Sequence, residues 1–132
     1  MTIKQLIEKN KLAFDSNFLI ESVNLSYILI NKALKQIIKD DLKKEVIDTK
    51  IKTTELVKFI RNFLDKNPEI KHKLNKKALK DIELFIELYK SINKELKFQY
   101  PEKKIAETAQ HGINCIVILN TSLLKIKNNK VI

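Results

Sequence analysis

Phe18-Leu-Ile-Glu-Ser-Val-Asn-Leu-Ser-Tyr-Ile-Leu-Ile-Asn-Lys-Ala-Leu34 decides the fold. Its large apolar residues recur at Phe18, Leu25, Leu29 and Ala33, and the series continues to Ile37. Steps of three and four place side chains on one face of an α-helix. Isoleucine also favours strands, but strands need a period of two, so the spacing selects helix. One acid, Glu21, stands among the hydrophobes. A carboxylate removed from water needs a partner. The stretch therefore predicts a helix that either packs around a satisfied acid or lines a functional surface.

The same periodicity extends outward in both directions. Ile3, Leu6 and Ile7 share a face in a short N-terminal helix over residues 3–12. Asp15 or Ser16 can cap the long second helix, which runs to about Ile38. Residues 39–45 form a charged exit. Thr53 or Thr54 can cap a further helix striped by Leu56, Val57, Ile60, Phe63 and Leu64, and Asn67-Pro68 ends it. Asn75 opens another long helix, with Ala78, Ile82, Phe85, Ile86, Tyr89, Ile92 and Leu96 inward. Tyr100-Pro101 breaks it, and Pro101 fits the first position of the last helix. There Ala109, Ile113, Ile116, Val117, Asn120 and Leu124 share a face, and residues 127–132 are expected to fray. The expectation is an all-α chain: one domain over residues 1–132, an antiparallel bundle of four main helices plus a short N-terminal one.

Composition agrees. One glycine, two prolines and no tryptophan leave few devices for tight turns. A chain of 132 residues buries roughly two-thirds of its unfolded surface without metal or disulfide staples. The single Cys115 has no internal partner, which suits a reducing compartment. The first residues carry charges where a secretory leader would be apolar. No apolar run approaches the ~20 residues of a membrane span. Together these features predict a cytoplasmic protein with no membrane contact. The net charge is +10, from 26 cations against 16 acids, and Arg61 is the sole arginine. Such a balance suits RNA, DNA or an acidic protein partner. Lysines act as point charges, without the bidentate fork that reads bases.

Glu21-Ser-Val-Asn-Leu-Ser-Tyr-Ile-Leu-Ile-Asn-Lys-Ala-Leu34 resembles the second helix of the HEPN superfamily, in a group reading roughly E-A-I-x-L-x-Y-A-L-I-E-x-R-L. Glu21, Leu25, Tyr27, Leu29, Ile30 and Leu34 match it without a gap. Leu88-Tyr-Lys-Ser-Ile-Asn-Lys-Glu-Leu-Lys-Phe98 sits where such proteins carry R-N-x-x-x-H. Ala109-Gln-His-Gly-Ile113 and Leu119-Asn120 are similar to the final helix, with its glycine and L-D pair. The likeness spans about residues 5–127. It implies an all-helical bundle that dimerises. It also implies kinship with metal-independent ribonucleases of toxin–antitoxin, phage-defence and CRISPR systems. In active members arginine would bind the scissile phosphate, and histidine would move the proton of the 2′-hydroxyl or leaving group.

The motif is degenerate in this chain. The arginine position is Ile92, the asparagine is kept as Asn93, and the histidine position is Lys97. The second-helix acid and arginine are Asn31 and Ala33. An isoleucine cannot hold a phosphate, and a lysine is ordinarily a cation at neutral pH. The resemblance thus implies a scaffold without the ribonuclease site and no catalytic residues, with Glu21 as a polar neighbour of the degenerate positions.

Other motifs are less specific. Arg61-Asn-Phe-Leu-Asp-Lys66 imitates the motif on a different helix, again with lysine for histidine, and reads as a surface arginine spaced for a pair with Asp65. His72 sits in a charged loop. His111 and Cys115 share a helix face, but the chain lacks the paired spacing of a zinc site, so no metal or cofactor is expected. Gly112 inside a helix costs up to ~1 kcal/mol relative to alanine. Close helix approach would offset that, within the chain or across a dimer. Lysine stripes run through Lys32, Lys35, Lys39 and Lys43, and through Lys73, Lys76, Lys77 and Lys80. A third, Lys90, Lys94 and Lys97, adjoins the degenerate motif. With Lys103 and Lys104 it forms the candidate RNA-binding set, with Phe98 and Tyr100 as stacking candidates.

The leading expectation is a non-catalytic, homodimeric HEPN-like module that binds RNA or a partner protein, in a bacterial defence, toxin–antitoxin or mobile-element setting. One alternative is an active ribonuclease with a rearranged site using Glu21, Asn93, Lys97 or His111. Another is an unrelated helical interaction or inhibitor protein that docks on an acidic surface.

Overall fold

The computed structural model describes residues 2–45, 50–70, 72, 74–95 and 102–130, with side chains except at Glu95 and from 122 onward. These residues form five helices: α1 (Ile3–Asp15), α2 (Leu19–Asp40), α3 (Thr53–Lys66), α4 (Lys76–Glu95) and α5 (Glu102–Lys130). No strand occurs among them. α1 outruns the expected residue 12, and α5 continues helically through Lys130, where fraying was expected from residue 127.

Caps explain several of these boundaries. Thr2 and Gln5 form a reciprocal capping box at the start of α1, with bonds of 3.1 and 2.9 Å. Ser16 closes α1 through its backbone N–H and does not open α2, contrary to the sequence expectation. Asn17 follows in the left-handed region at φ 65°, which asparagine tolerates. Phe18 then stands at the N-cap of α2 with no side-chain cap. Lys52, not a threonine, precedes α3, and Thr53 is its first helical residue. Asn75 does cap α4: its Oδ1 accepts the Ala78 N–H at 2.9 Å.

Helix directions follow from paired residues. Asn10 of α1 meets Ser22 and Ser26 of α2, so these two run antiparallel. Arg61 meets Glu83 and Asp65 meets Lys76, so α3 and α4 are antiparallel. His111 of α5 reaches Asp81 and stacks on Phe85, opposing α5 to α4. Tyr27 stacks on Tyr89, and Asp41 reaches His72 just before α4, opposing α4 to α2. α2 and α5 are therefore parallel, with Ser26 beside Gly112 and Leu29 clustered with Ile116. A uniformly antiparallel arrangement does not describe this seam. α3 starts beside Tyr27 and Asn31 and, being antiparallel to α4 as α2 is, runs the same way as α2.

The core lies between α2, α3, α4 and α5. Ile30, Leu34, Leu56, Ile82, Phe85 and Ile86 are fully enclosed. A smaller cluster of Leu6, Ala13, Leu25, Leu29 and Ile116 seats α1. Three sequence assignments change. Phe18 and Val117, expected inward, are 62% and 60% exposed. Glu21 is exposed in the first turn of α2, where its charge favours the positive helix end, and it is not set in the core. The expected Leu25, Leu29, Ala33 and Ile37 are buried, and the buried face of α2 widens to Val23, Ile30, Leu34 and Ile38 and to two enclosed serines.

Those serines belong to a polar cluster that the hydrophobic pattern concealed. Asn10 Nδ2 donates to Ser26 Oγ at 2.8 Å, and Ser22 Oγ donates to Asn10 Oδ1 at 2.6 Å. All three residues are buried. A satisfied buried network fixes register, because any slip strands its members. Gly112 lies against the same spot. A Cβ there would fall 2.7 Å from Ser26 Oγ and 2.8 Å from Phe85 Cε2. The glycine thus serves close packing inside the chain.

Candidate functional site

The two halves of α4 carry different chemistry. Toward its C-terminus, Lys90 and Lys94 are exposed. Lys103 and Lys104 are exposed on the first turns of α5, its antiparallel neighbour. The four lysines therefore share one end of the bundle. Lys97, Phe98 and Tyr100 lie outside the described residues, as do Leu96 and Pro101. Asn93 is exposed beside Lys94, whereas Ile92 is 1% exposed and belongs to the core. Position 92 thus presents nothing to solvent. Ala33 is likewise in the core.

Asn31, the other altered position of the second helix, has a structural task. Its Nδ2 donates to Thr53 Oγ1 at 2.7 Å, and Thr53 Oγ1 donates to Tyr27 Oη at 3.1 Å. The Tyr27 ring stacks face to face on Tyr89 at 4.0 Å between centroids. This cluster pins the start of α3 to α2 and α4. The hydroxyl of Thr53 points to side chains on α2, which is why it does not cap its own helix.

At the N-terminal half of α4 a groove opens toward α3. Its volume is about 280 Å³. Leu64, Ile70, Leu74 and Leu79 supply an apolar floor, and Arg61, Asp65, His72, Asn75 and Lys76 supply the polar walls. Hydrogen bonds hold the loop side. His72 pairs with Asp41, and His72 Nδ1 accepts the Leu74 N–H at 3.0 Å. Asn67 Nδ2 donates to the Phe63 carbonyl at 2.8 Å. Arg61 Nη2 ion-pairs with Glu83 Oε1.

An arginine and a histidine in one groove form the couple that phosphoryl chemistry asks for, and sequence spacing did not assign these two to one site. The geometry assigns the histidine otherwise. Because Nδ1 accepts a backbone proton, the ring proton sits on Nε2 and is given to Asp41. Both ring nitrogens are engaged inside the chain, so His72 fastens the loop to the end of α2. Its signal in the sequence was slight: a histidine in a charged loop and an aspartate 31 positions earlier.

His111 and Cys115 do share a face, and both turn to the same acceptor. His111 Nε2 lies 2.8 Å from the Asp81 carbonyl, and Cys115 Sγ lies 3.7 Å from it. Burial, and then the charge of Asp81, push the Cys115 thiol from 9.0 up to about 12. A thiol so protonated is a poor nucleophile and a poor metal ligand. Among the described residues no three His, Cys, Asp or Glu side chains gather as a metal set. No helix of the described residues is long and apolar enough to cross a membrane.

No family model matches this chain, and neither a curated protein nor a solved structure does.

Proposed function

We propose that the chain is a non-catalytic helical module that binds RNA through the lysine-bearing end formed by α4 and α5. The observation that carries this reading is how the chemistry-bearing side chains are disposed. Both nitrogens of His72 are engaged, His111 Nε2 faces a backbone carbonyl, and the thiol of Cys115 is buried. Lys90, Lys94, Lys103 and Lys104 are exposed at one end of the bundle. Lysines without bidentate arginine forks suit phosphate contact without base readout. A HEPN-like ancestry, a homodimer and a setting in bacterial defence, toxin–antitoxin or mobile-element biology belong to the same reading. They rest on the Glu21–Leu34 resemblance and on the degenerate positions Ile92, Asn93 and Lys97.

Two measurements on one labelled single-stranded RNA test it. Affinity should fall with salt at a log–log slope of about −0.7 per lysine–phosphate contact. The variant with Lys90, Lys94, Lys103 and Lys104 all changed to glutamate should bind at least tenfold more weakly. A slope near zero overturns the RNA assignment. Cleavage of the RNA that disappears in Asn93→Ala or His111→Ala overturns the non-catalytic one and favours the rearranged ribonuclease.

A further inference from the structure

The cations of the α3–α4 groove are all matched: Arg61 by Glu83, His72 by Asp41 and Lys76 by Asp65. The cations on the outer side of the α2–α3 pair are not. We propose that this side is a second RNA-contact surface, one that takes single strands, with an unpaired base stacked on Phe59 and neighbouring phosphates on Lys32, Lys39, Lys52 and Lys66. This role rests on RNA being the ligand, as proposed above, and adds to it a class of RNA and a base contact.

Helix geometry brings these residues to one side. Each residue turns an α-helix by about 100°. On α3, Arg61 marks the side that faces α4. Lys52, Phe59 and Lys66 lie about 140–180° around from it. On α2, Ser26 beside Gly112 marks the side that faces α5. Ile28, Lys32 and Lys39 lie about 120–160° around from that. Both sets therefore look away from the α4–α5 layer. The Asn31–Thr53 bond sets the height of one helix against the other. Phe59 is about 9 Å beyond that bond along α3, and Lys39 is about 12 Å beyond it along the parallel α2. All four lysines are exposed, Phe59 is 40% exposed and Ile28 is 44% exposed.

Charge and ring chemistry name the occupant. None of Lys32, Lys39, Lys52 and Lys66 forms an ion pair with a described residue. Of the two acids of α3, Asp65 lies on the α4 side, so Glu55 alone is on this one. α2 has no acid between Glu21 and Asp40. Four unmatched lysines against one glutamate favour an anionic chain. Phe63, one turn beyond Phe59, is half-buried against the core. The two ring centroids are 6.5 Å apart with planes 20° from parallel. The inner ring backs the outer one, so Phe59 offers a surface already held in place. Any base can stack on such a ring, provided that it has left its duplex. An acidic protein would instead need roughly 800 Å² of contact around an apolar centre. Phe59 is the one large apolar side chain that α3 exposes.

The test uses the full-length protein with three probes: a short oligouridylate, an RNA duplex of equal length and an abasic strand with the same phosphates. The chain has no tryptophan, so Phe59→Trp places a single fluorescent reporter at the ring. Oligouridylate should quench its emission, and the abasic strand should not. Phe59→Leu should bind oligouridylate at least fivefold more weakly than wild type, and Phe59→Tyr should bind within twofold of it. Duplex affinity should be the same in all three. Lys39→Glu with Lys66→Glu should weaken oligouridylate and abasic strand alike. Every change is at an exposed position, and circular dichroism verifies that each variant is folded. Phe59→Leu binding oligouridylate like wild type, or quenching by the abasic strand, overturns the proposal. So does displacement of oligouridylate by an oligoglutamate of equal charge at equal concentration, which assigns this side to an acidic protein. Wild type that binds none of the three probes ends this proposal and the RNA reading together. Binding lost in the variant of Lys90, Lys94, Lys103 and Lys104 but not in Phe59→Leu ends this proposal alone. The reverse result supports it and moves the RNA site away from the α4–α5 end.

Discussion

Where α2 crosses α5, a single methyl group has nowhere to go. Where α3 faces α4, a groove of about 280 Å³ stays open. The two seams differ in what their sequences put at the contact. The first uses small residues, Ser26, Ala33 and Gly112, which let two backbones approach. The second sets long charged side chains against one another, Arg61 on Glu83 and Asp65 near Lys76, over an apolar floor. Small residues give contact and register. Long ones hold helices apart and leave space. One seam of the chain is thus closed and the other open because of the length of the side chains that meet there.

The comparison breaks most easily at Gly112. Gly112→Val should destabilise the fold by on the order of 3 kcal/mol, because overpacking a closed contact moves backbone as well as side chains. Gly112→Ala should lose less, since alanine regains ~1 kcal/mol of helix propensity. Thermal unfolding reads both changes, at roughly 3–5 °C per kcal/mol for a chain of this size. Adding Ser26→Ala to Gly112→Ala should restore only part of the loss. It removes the oxygen at 2.7 Å but leaves the Ser26 Cβ at 2.8 Å. An unchanged melting temperature for Gly112→Val would show that the seam is loose after all.

How much of this was legible in the sequence depends on the seam. The helices were, because a period near 3.6 in Leu25, Leu29, Ala33 and Ile37 survives any tertiary context. Gly112 was half legible: its propensity cost announced a close approach, but only the fold names Ser26 and Phe85 as the neighbours. The direction of α5 against α2 was hidden, because periodicity records which face is buried and not which way its partner runs. The groove was hidden for a related reason. Arg61 and His72 come together with Asp41, far back in the chain, holding His72, and local spacing carries no trace of that. Glu21 misled because its apolar neighbours in sequence are not its neighbours in space. At the start of a helix it projects to solvent beside Phe18, which is exposed too.

A second prediction sharpens the tight seam. Asn10→Ala leaves the hydroxyls of Ser22 and Ser26 without their buried partner. Each unsatisfied group costs about 1–3 kcal/mol, although a helical serine can turn back to the carbonyl four residues earlier. The net loss should be about 2 kcal/mol by denaturant unfolding. Converting Ser22 and Ser26 to alanine in the same chain should recover part of it, because removing every partner is cheaper than stranding two. A triple variant less stable than Asn10→Ala would mean that the serines contribute by packing and not by hydrogen bonding.

The open seam should respond least, and in a different pattern. Arg61 and Glu83 have side chains 33% and 37% exposed, so solvent screens much of their attraction. Even so, Glu83 Oε1 is itself closed off from water, and the charge set against it is Arg61 Nη2. Removing the arginine alone therefore leaves an enclosed carboxylate oxygen facing nothing. Arg61→Ala should cost about 1 kcal/mol, more than an exposed pair is usually worth. Arg61→Ala with Glu83→Ala should cost less than the sum of the two single changes, and a double-mutant cycle measures the difference. The sign of that coupling separates two pictures of the seam. A favourable coupling means that the ion pair holds α3 on α4 and sets the width of the groove. A coupling of zero means that the apolar floor alone holds the helices and the charged pair does not set the width of the groove.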